Sequence, residues 1–293
     1  MGLGTVAITG AAGTIGSVLR EALRDEAERL VLIDRVPLPP APPAAERAAG
    51  ARPVAAAGNE EVRTADLRDA AAVEAALAGA DAVLHLGGLP DEAPLPELLD
   101  TNVLGTHHVL EAARRRGIHR VVLAGSNRVT GFCPVGRPTG PREPVRPDGL
   151  YGVSKVAVEA LGRLYADKFG LSVLCLRIGS FERAPTEPRH LATWLSHRDA
   201  VGYVRAALTA PPTPGFTAVY AVSANTRRFW ELPGPAELDY TPVDDAETHA
   251  AGIPGADRAP DPAAPQGGPY ARPEFTLPHL PHPPGLPSPE ARP

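Results

Sequence analysis

Along most of the chain, short runs of aliphatic and β-branched residues alternate with longer stretches in which apolar positions recur at helical spacing. The runs "TVAITG", "LVLID", "VRTAD", "AVLHLGG", "RVVLAGS", "SVLCLRIGS" and "TAVYAVSA" predict strands. Most of them lack polar alternation, as expected of strands covered on both faces. Helices are predicted over 14–24, 69–78, 96–116, about 148–169 and about 198–209. Strand followed by helix, repeated, predicts an α/β protein: a doubly wound parallel sheet with helices on both faces and a small C-terminal substrate-binding portion. No repeat of solenoid length is visible.

Two segments depart from this rhythm. Residues 36–58 are rich in Pro and Ala and predict a surface loop between the second and third strands. From about Pro254 to Pro293 roughly a third of the residues are proline, with almost no apolar periodicity. A disordered or extended tail is therefore expected over 254–293, and one folded unit over 1–253 whose substrate-binding elements lie mainly in 180–253.

Composition adds exclusions. A net charge of −5 gives no general affinity for nucleic acid or an anionic membrane. No apolar run approaches the roughly 18 residues of a membrane span. The N-terminal stretch "MGLGTVAITGAAG" has neither the basic region nor the apolar core of a signal peptide, so a cytoplasmic location is expected. Cys133 and Cys175 are read as ordinary reduced thiols, and His85, His107 and His108 lack a third partner at ligand spacing, so no metal is assigned.

Candidate chemistry begins with "TGAAGTIG", which places Gly10, Gly13 and Gly16 between a strand and a helix. Glycines there permit a tight turn and let backbone approach a pyrophosphate at the helix N-terminus, as in Rossmann-type dinucleotide sites. The spacing is GxxGxxG, and a ligand-free turn is the ordinary alternative. Asp34 ends the second strand, where a carboxylate can accept hydrogen bonds from an adenosine ribose and repel a 2′-phosphate. NAD is thereby favoured over NADP, although Arg35 beside it weakens the exclusion.

Further along, "YGVSK" places Tyr151 and Lys155 on one helix face. A neighbouring cation stabilises a phenolate and makes a proton acceptor of the phenol. The spacing alone is weak evidence, but Lys155 is one of only two lysines among 29 basic residues, where arginine serves everywhere else.

With "ADLRD", "HLGG", "TNVLGT" and "AGSN" between them in order, these motifs resemble the short-chain dehydrogenase/reductase superfamily in its extended branch, the NAD-dependent epimerase/dehydratase family, over about residues 3–250. The resemblance implies NAD as cofactor, Tyr151 as acid/base, Lys155 on the nicotinamide ribose, Ser126 orienting the reacting hydroxyl, and Asn102 supporting a water relay behind Lys155. It also implies cofactor contacts from Thr14, Ile15, Asp66, Leu67, Leu86, Gly87, Gly88 and Ile178, and at least a homodimer. Asp66 and Asn102 have ordinary readings as well, a helix cap and a satisfied helical amide.

The stretches "SNRVTGF", "RPDGLYGVSK" and "RIGSFERAPTEPRHLATWLSHRD" are more narrowly similar to uronate dehydrogenases, which oxidise C1 of a uronic acid to an aldarolactone with NAD. This implies a carboxylate clamp at Arg189 with Ser180, Ser126 and Asn127 as polar contacts, and a small polar, carboxylated sugar as substrate. Two departures stand out: Leu89 and Pro90 follow "HLGG" where that family has a serine, and Arg128 replaces a histidine. A fixed cation at Arg128 is expected to engage an anionic substrate. The alternatives are a sugar-nucleotide epimerase or dehydratase that recycles its NAD, and a catalytically inactive NAD-binding sensor or scaffold.

Overall fold

The computed structural model describes residues 2–38 and 58–281. Most of the loop expected over 36–58 lies outside the described residues, as does the end of the tail. Seven strands form one parallel sheet: β1 (Leu3–Thr9), β2 (Ala27–Asp34), β3 (Glu60–Thr64), β4 (Ala82–His85), β5 (Arg120–Ser126), β6 (Ser172–Ile178) and, completing it, the late strand Gly215–Ala221. A two-residue pair, β7 (Ser180–Phe181) with β8 (Trp194–Leu195), sits beside it, which makes the late strand β9. The spatial order is β3-β2-β1-β4-β5-β6-β9. The chain therefore winds outward from β1 in one direction and then reverses to continue from β4 in the other.

Alternate side chains on each strand explain why both faces are covered. Val6, Ile8, Leu30, Leu32, Leu174 and Leu176 point into one core with α1 (Thr14–Leu23) and the late helix His197–Thr209. Ala7, Val31, Ile33, Val121, Leu123 and Val173 point into the other, against α2 (Ala70–Ala76), α4 (Gly105–Arg116) and α5 (Leu150–Phe169). With a strand period of two and both faces apolar, continuous hydrophobic runs are the required pattern. β3 is the exception: it lies at the edge and carries Glu60, Glu61 and Arg63, charges that discourage further strand pairing.

The helix expected over 96–116 is present, but it is not uniform. A four-residue α3 (Leu95–Leu98) runs through a π-helical turn, Leu99–Leu104, into α4. The extra residue per turn rotates the helix locally, and Asn102 lies buried within it. Two helices follow the sheet's sixth strand, the short α6 (His190–Thr193) and α7 (His197–Thr209). No helix among the described residues is long and apolar enough to cross a membrane.

The segment expected to be a tail from Pro254 onward instead makes contacts with the domain as far as Thr276. Backbone groups at 262–267 pair with the loop 131–136: Val135 donates to the Ala264 carbonyl, Gly136 to Pro262, Gln266 to Cys133 and Gly267 to Gly131, all at 2.8 Å. Proline lacks an N–H but keeps its carbonyl, so a proline-rich segment can still accept such bonds. Gln266 is buried, taking the Trp230 indole N–H at 2.9 Å and donating to Thr139 Oγ1 at 2.8 Å. A short helix α8 (Pro273–Thr276) follows.

One buried ion pair ties sheet to helix. Arg177 of β6 grips Glu159 of α5 with two bonds of 2.8 and 2.9 Å and donates to the Tyr220 hydroxyl of β9. Arg177→Met leaves the carboxylate without its partner and should cost about 3–5 kcal/mol of stability in urea unfolding. The double variant Arg177→Met/Glu159→Leu should recover most of that loss.

Candidate active site

All strands end on the same edge, and the order reverses between β1 and β4. Ligand crevices of open parallel sheets form at such a point. Here it opens into a cleft of about 750 Å³ that runs from Asp34 to Arg189.

At one end lies the glycine turn. Gly10 has φ of +70°, and a Cβ there would meet the Gly87 nitrogen at 2.7 Å. A Cβ on Gly16 would sit 2.3 Å from the Gly10 carbonyl, so helix α1 can start this close to β1 only with glycine. Gly13 precedes α1 without any side-chain cap, leaving amides of Thr14 and Ile15 facing the cleft. Asp34 is oriented through both oxygens, which accept the Ala12 N–H at 3.0 Å and the Val36 N–H at 3.2 Å. These are the features a dinucleotide requires: a backbone cradle with no Cβ, free amides for a pyrophosphate and a fixed carboxylate for ribose hydroxyls.

Asp66 and Leu67 line the same end. The helix cap is Asp69, whose side chain accepts from Ala71 and Ala72, so the capping alternative for Asp66 does not apply. Arg68 instead holds Asp66 with bonds of 3.0 and 2.7 Å, and this contact lowers its carboxyl to about 2. Leu86, Gly87 and Gly88 form the opposite wall, and Ile178 closes it from β6.

Ser126, Tyr151 and Lys155 converge on the middle of the cleft. Ser126 ends β5; its oxygen accepts the Arg128 N–H at 3.2 Å, which leaves its own proton free to donate. Lys155 spends one proton on the Ala124 carbonyl at 2.9 Å, and its ammonium lies 5.6 Å from the Tyr151 ring centre. Asn102 does not line the cleft. Its amide holds the Leu89 backbone, accepting at 2.7 Å and donating at 3.2 Å, and donates to Ser154 at 3.0 Å. This is the satisfied-amide reading, and it places Asn102 behind the cleft wall, at Leu89 and Ser154.

At the far end two arginines meet different fates. Arg128 is walled in by three carboxylates: Asp148 at 2.8 Å, Asp91 at 2.9 Å and Glu92 at 3.2 Å. Its guanidinium also stacks near the rings of Tyr270 and Phe275, at 4.5 and 5.0 Å. Arg128, expected to engage an anionic substrate, lines the cleft, but each of its nitrogens already faces an acid. Arg189 has no carboxylate within ion-pair distance among the described residues. It donates to the Gln266 carbonyl at 3.1 Å and points Nη1 toward Ser180 at 3.5 Å, and burial lowers its pKa. Asn127 completes this part of the wall.

The model of the NAD dependent epimerase/dehydratase family matches residues 6–202. The chain belongs to that family. Its relatives include the uronate dehydrogenase of Pseudomonas putida, 39% identical over 270 residues that span 90% of this chain and 94% of that protein. The uronate dehydrogenase of Agrobacterium fabrum is 42% identical over 255 residues, spanning 87% and 90%. Among solved structures, an Agrobacterium tumefaciens uronate dehydrogenase mutant complexed with NAD is 40% identical, with a TM-score of 0.81 and coverage of 93% of this chain and 98% of that one. The matched family span contains every site residue expected from the sequence, whereas Gln266 and Tyr270 lie beyond it.

Four residues at this end of the cleft carry no signal in the sequence. Asp148 stands two residues before α5 in "RPDGLYGVSK", where nothing in the sequence marks it. Burial nevertheless pushes its carboxyl up despite Arg128, and Oδ2 has no hydrogen-bond partner among the described residues. Glu92 was one acid in a loop, and Gln266 and Tyr270 lay in the proline-rich segment, where periodicity carries no signal.

Beneath the cleft, His85 is completely enclosed. Thr106 donates to the Asn102 carbonyl at 2.6 Å, so its oxygen receives His85 Nε2–H at 3.0 Å. Nδ1 then accepts from Thr9 at 2.7 Å, and Thr9 in turn accepts the Gly87 N–H. Burial, reinforced by Lys155, holds His85 neutral with a pKa down at about 3. A depressed histidine pKa contributes stability above its unfolded value of about 6.5 and loses it as pH falls toward 3. Urea unfolding between pH 7 and 4 should show this loss, at up to about 1.4 kcal/mol per pH unit. His85→Gln should remove that component of the slope, and an unchanged slope would contradict the assignment.

Proposed function

We propose that this protein is an NAD-dependent uronate dehydrogenase that oxidises the C1 hydroxyl of a uronic acid to the lactone. The observation that carries the reading is Arg189, a part-buried guanidinium with no carboxylate within ion-pair distance among the described residues, beside Ser180 at the end of the cleft remote from Asp34. A planar guanidinium grips a carboxylate through two parallel bonds, and burial strengthens that preference. The names of the relatives described above agree with this reading.

Bound NAD would supply the two-electron acceptor for the hydride that leaves C1. The glycine turn, the α1 amides and Asp34 would hold it, with Lys155 offering its remaining protons to a ribose. Tyr151 accepts the C1 hydroxyl proton while the C1–H bond breaks, and Ser126 donates to the same oxygen and keeps it aligned. Arg189 and Ser180 fix the sugar by its carboxylate, which leaves C1 at the Tyr151 side. Leu89 and Pro90 present no hydroxyl to the cleft, so sugar hydroxyls on that side meet an apolar wall.

Tyr151→Phe should reduce NADH formation from a uronate by at least about a thousandfold while the affinity for NAD stays within about twofold. A variant that keeps its rate would rule out the mechanism. Arg189→Ala should lower kcat/KM for a uronate by about a hundredfold and leave the slow oxidation of a neutral aldose nearly unchanged. Net NADH release distinguishes this activity from an epimerase, which returns its hydride, and from an inactive NAD-binding scaffold.

A further inference from the structure

Helix α5 carries Tyr151 in its first turn, yet it starts without a cap of its own. Gly149, the residue before it, has no side chain to accept the leading amides. Glu92, from the loop that follows β4, fills that place from 58 residues upstream. Its Oε1 accepts the Leu150 N–H at 2.8 Å and its Oε2 the Tyr151 N–H at 3.1 Å. A Cβ at position 149 would lie 2.6 Å from that carboxylate, so the glycine is what lets the acid approach.

The carboxylate is otherwise fully committed. Oε2 also takes Arg128 Nη2 at 3.2 Å, Oε1 takes the Thr276 hydroxyl at 2.8 Å, and the side chain is 1% exposed. On the carbonyl side of the same residue, Ser154 donates to the Tyr151 C=O at 2.7 Å and is held by Asn102. The backbone of Tyr151 is thus clamped on both its N–H and its C=O. The loop that supplies Glu92 also carries Gly87 and Gly88 of the cleft wall.

We propose that Glu92 is a positioning residue for the reaction: it caps the catalytic helix from a distant loop and sets the place of the Tyr151 phenol relative to the cofactor wall. The proposal rests on the reading of Tyr151 as the proton acceptor. A negative carboxylate at a helix N-terminus satisfies two amides and complements the helix dipole, and displacement of a reacting group by a fraction of an ångström is costly in rate.

The test compares Glu92→Ala, Glu92→Gln, Tyr151→Phe and Tyr151→Phe/Glu92→Gln with the parent, measuring NADH formation from a uronate, NAD affinity and thermal midpoint. Glu92→Ala should lower kcat by about 10–100-fold with KM for the uronate and the affinity for NAD each within about threefold. Glu92→Gln, which keeps the shape and one acceptor oxygen, should fold even if the alanine variant does not, and should lose about 3–10-fold. In the Tyr151→Phe background, assayed at high enzyme concentration, Glu92→Gln should cause no further loss, because the group it positions is gone.

Full kcat in Glu92→Gln overturns the proposal. So does an equal loss from Glu92→Gln in both backgrounds, which would make its effect general to the protein. Retained activity in Tyr151→Phe overturns the underlying mechanism instead, whatever the Glu92 variants do.

Discussion

The reversal of strand order between β1 and β4 is the constraint from which the site follows. Because all seven strands run parallel, their carboxyl ends share one edge, and the loops that leave β1 and β4 must diverge there. The glycine turn and the Leu86–Gly88 segment are the two lips of that divergence. They come so close that a single Cβ on Gly10 would collide with the Gly87 backbone. Everything else in the site is placed against those lips: Asp34 from the neighbouring strand, Ser126 from the end of β5, Tyr151 and Lys155 from the helix that follows.

Charge burial organises the far end. Arg128 and Arg189 are chemically alike, and their partners divide their roles. Arg128 meets Asp91, Glu92 and Asp148 and joins the β4 loop, the approach to α5 and the aromatic residues of the C-terminal segment. Asp91 is exposed, but unpairing the buried Arg128, Glu92 or Asp148 is expensive, so the cluster fixes geometry more than it adds stability. Arg189 shares the same aromatic neighbour, Tyr270, at 5.4 Å, but is met by a carbonyl and a hydroxyl, both neutral. A part-buried cation whose hydrogen bonds go to neutral groups is the one most improved by an arriving carboxylate.

The sequence carried the sheet, its helices and the cofactor end because these depend on local signals: β-branched runs, a glycine spacing, an acid at a strand end. It also carried Tyr151 and Lys155, which share a helix. It did not carry the partners of Arg128, since Asp91 and Asp148 lie on separate loops and meet only in the fold. Nor did it reveal that 254–276 packs on the domain, because that segment is held by backbone groups, by Gln266 and by Thr276, none of which has an apolar period. The π-helical turn around Asn102 was equally hidden, being a one-residue change of winding inside an ordinary helical pattern.

The central claim is that this cleft selects its sugar by a carboxylate. It is tested most directly by steady-state NADH formation of the unmodified protein with a hexuronate and with the aldose that differs from it only at C6. The account predicts kcat/KM higher for the uronate by about a hundredfold or more. Equal values for the two sugars would contradict it.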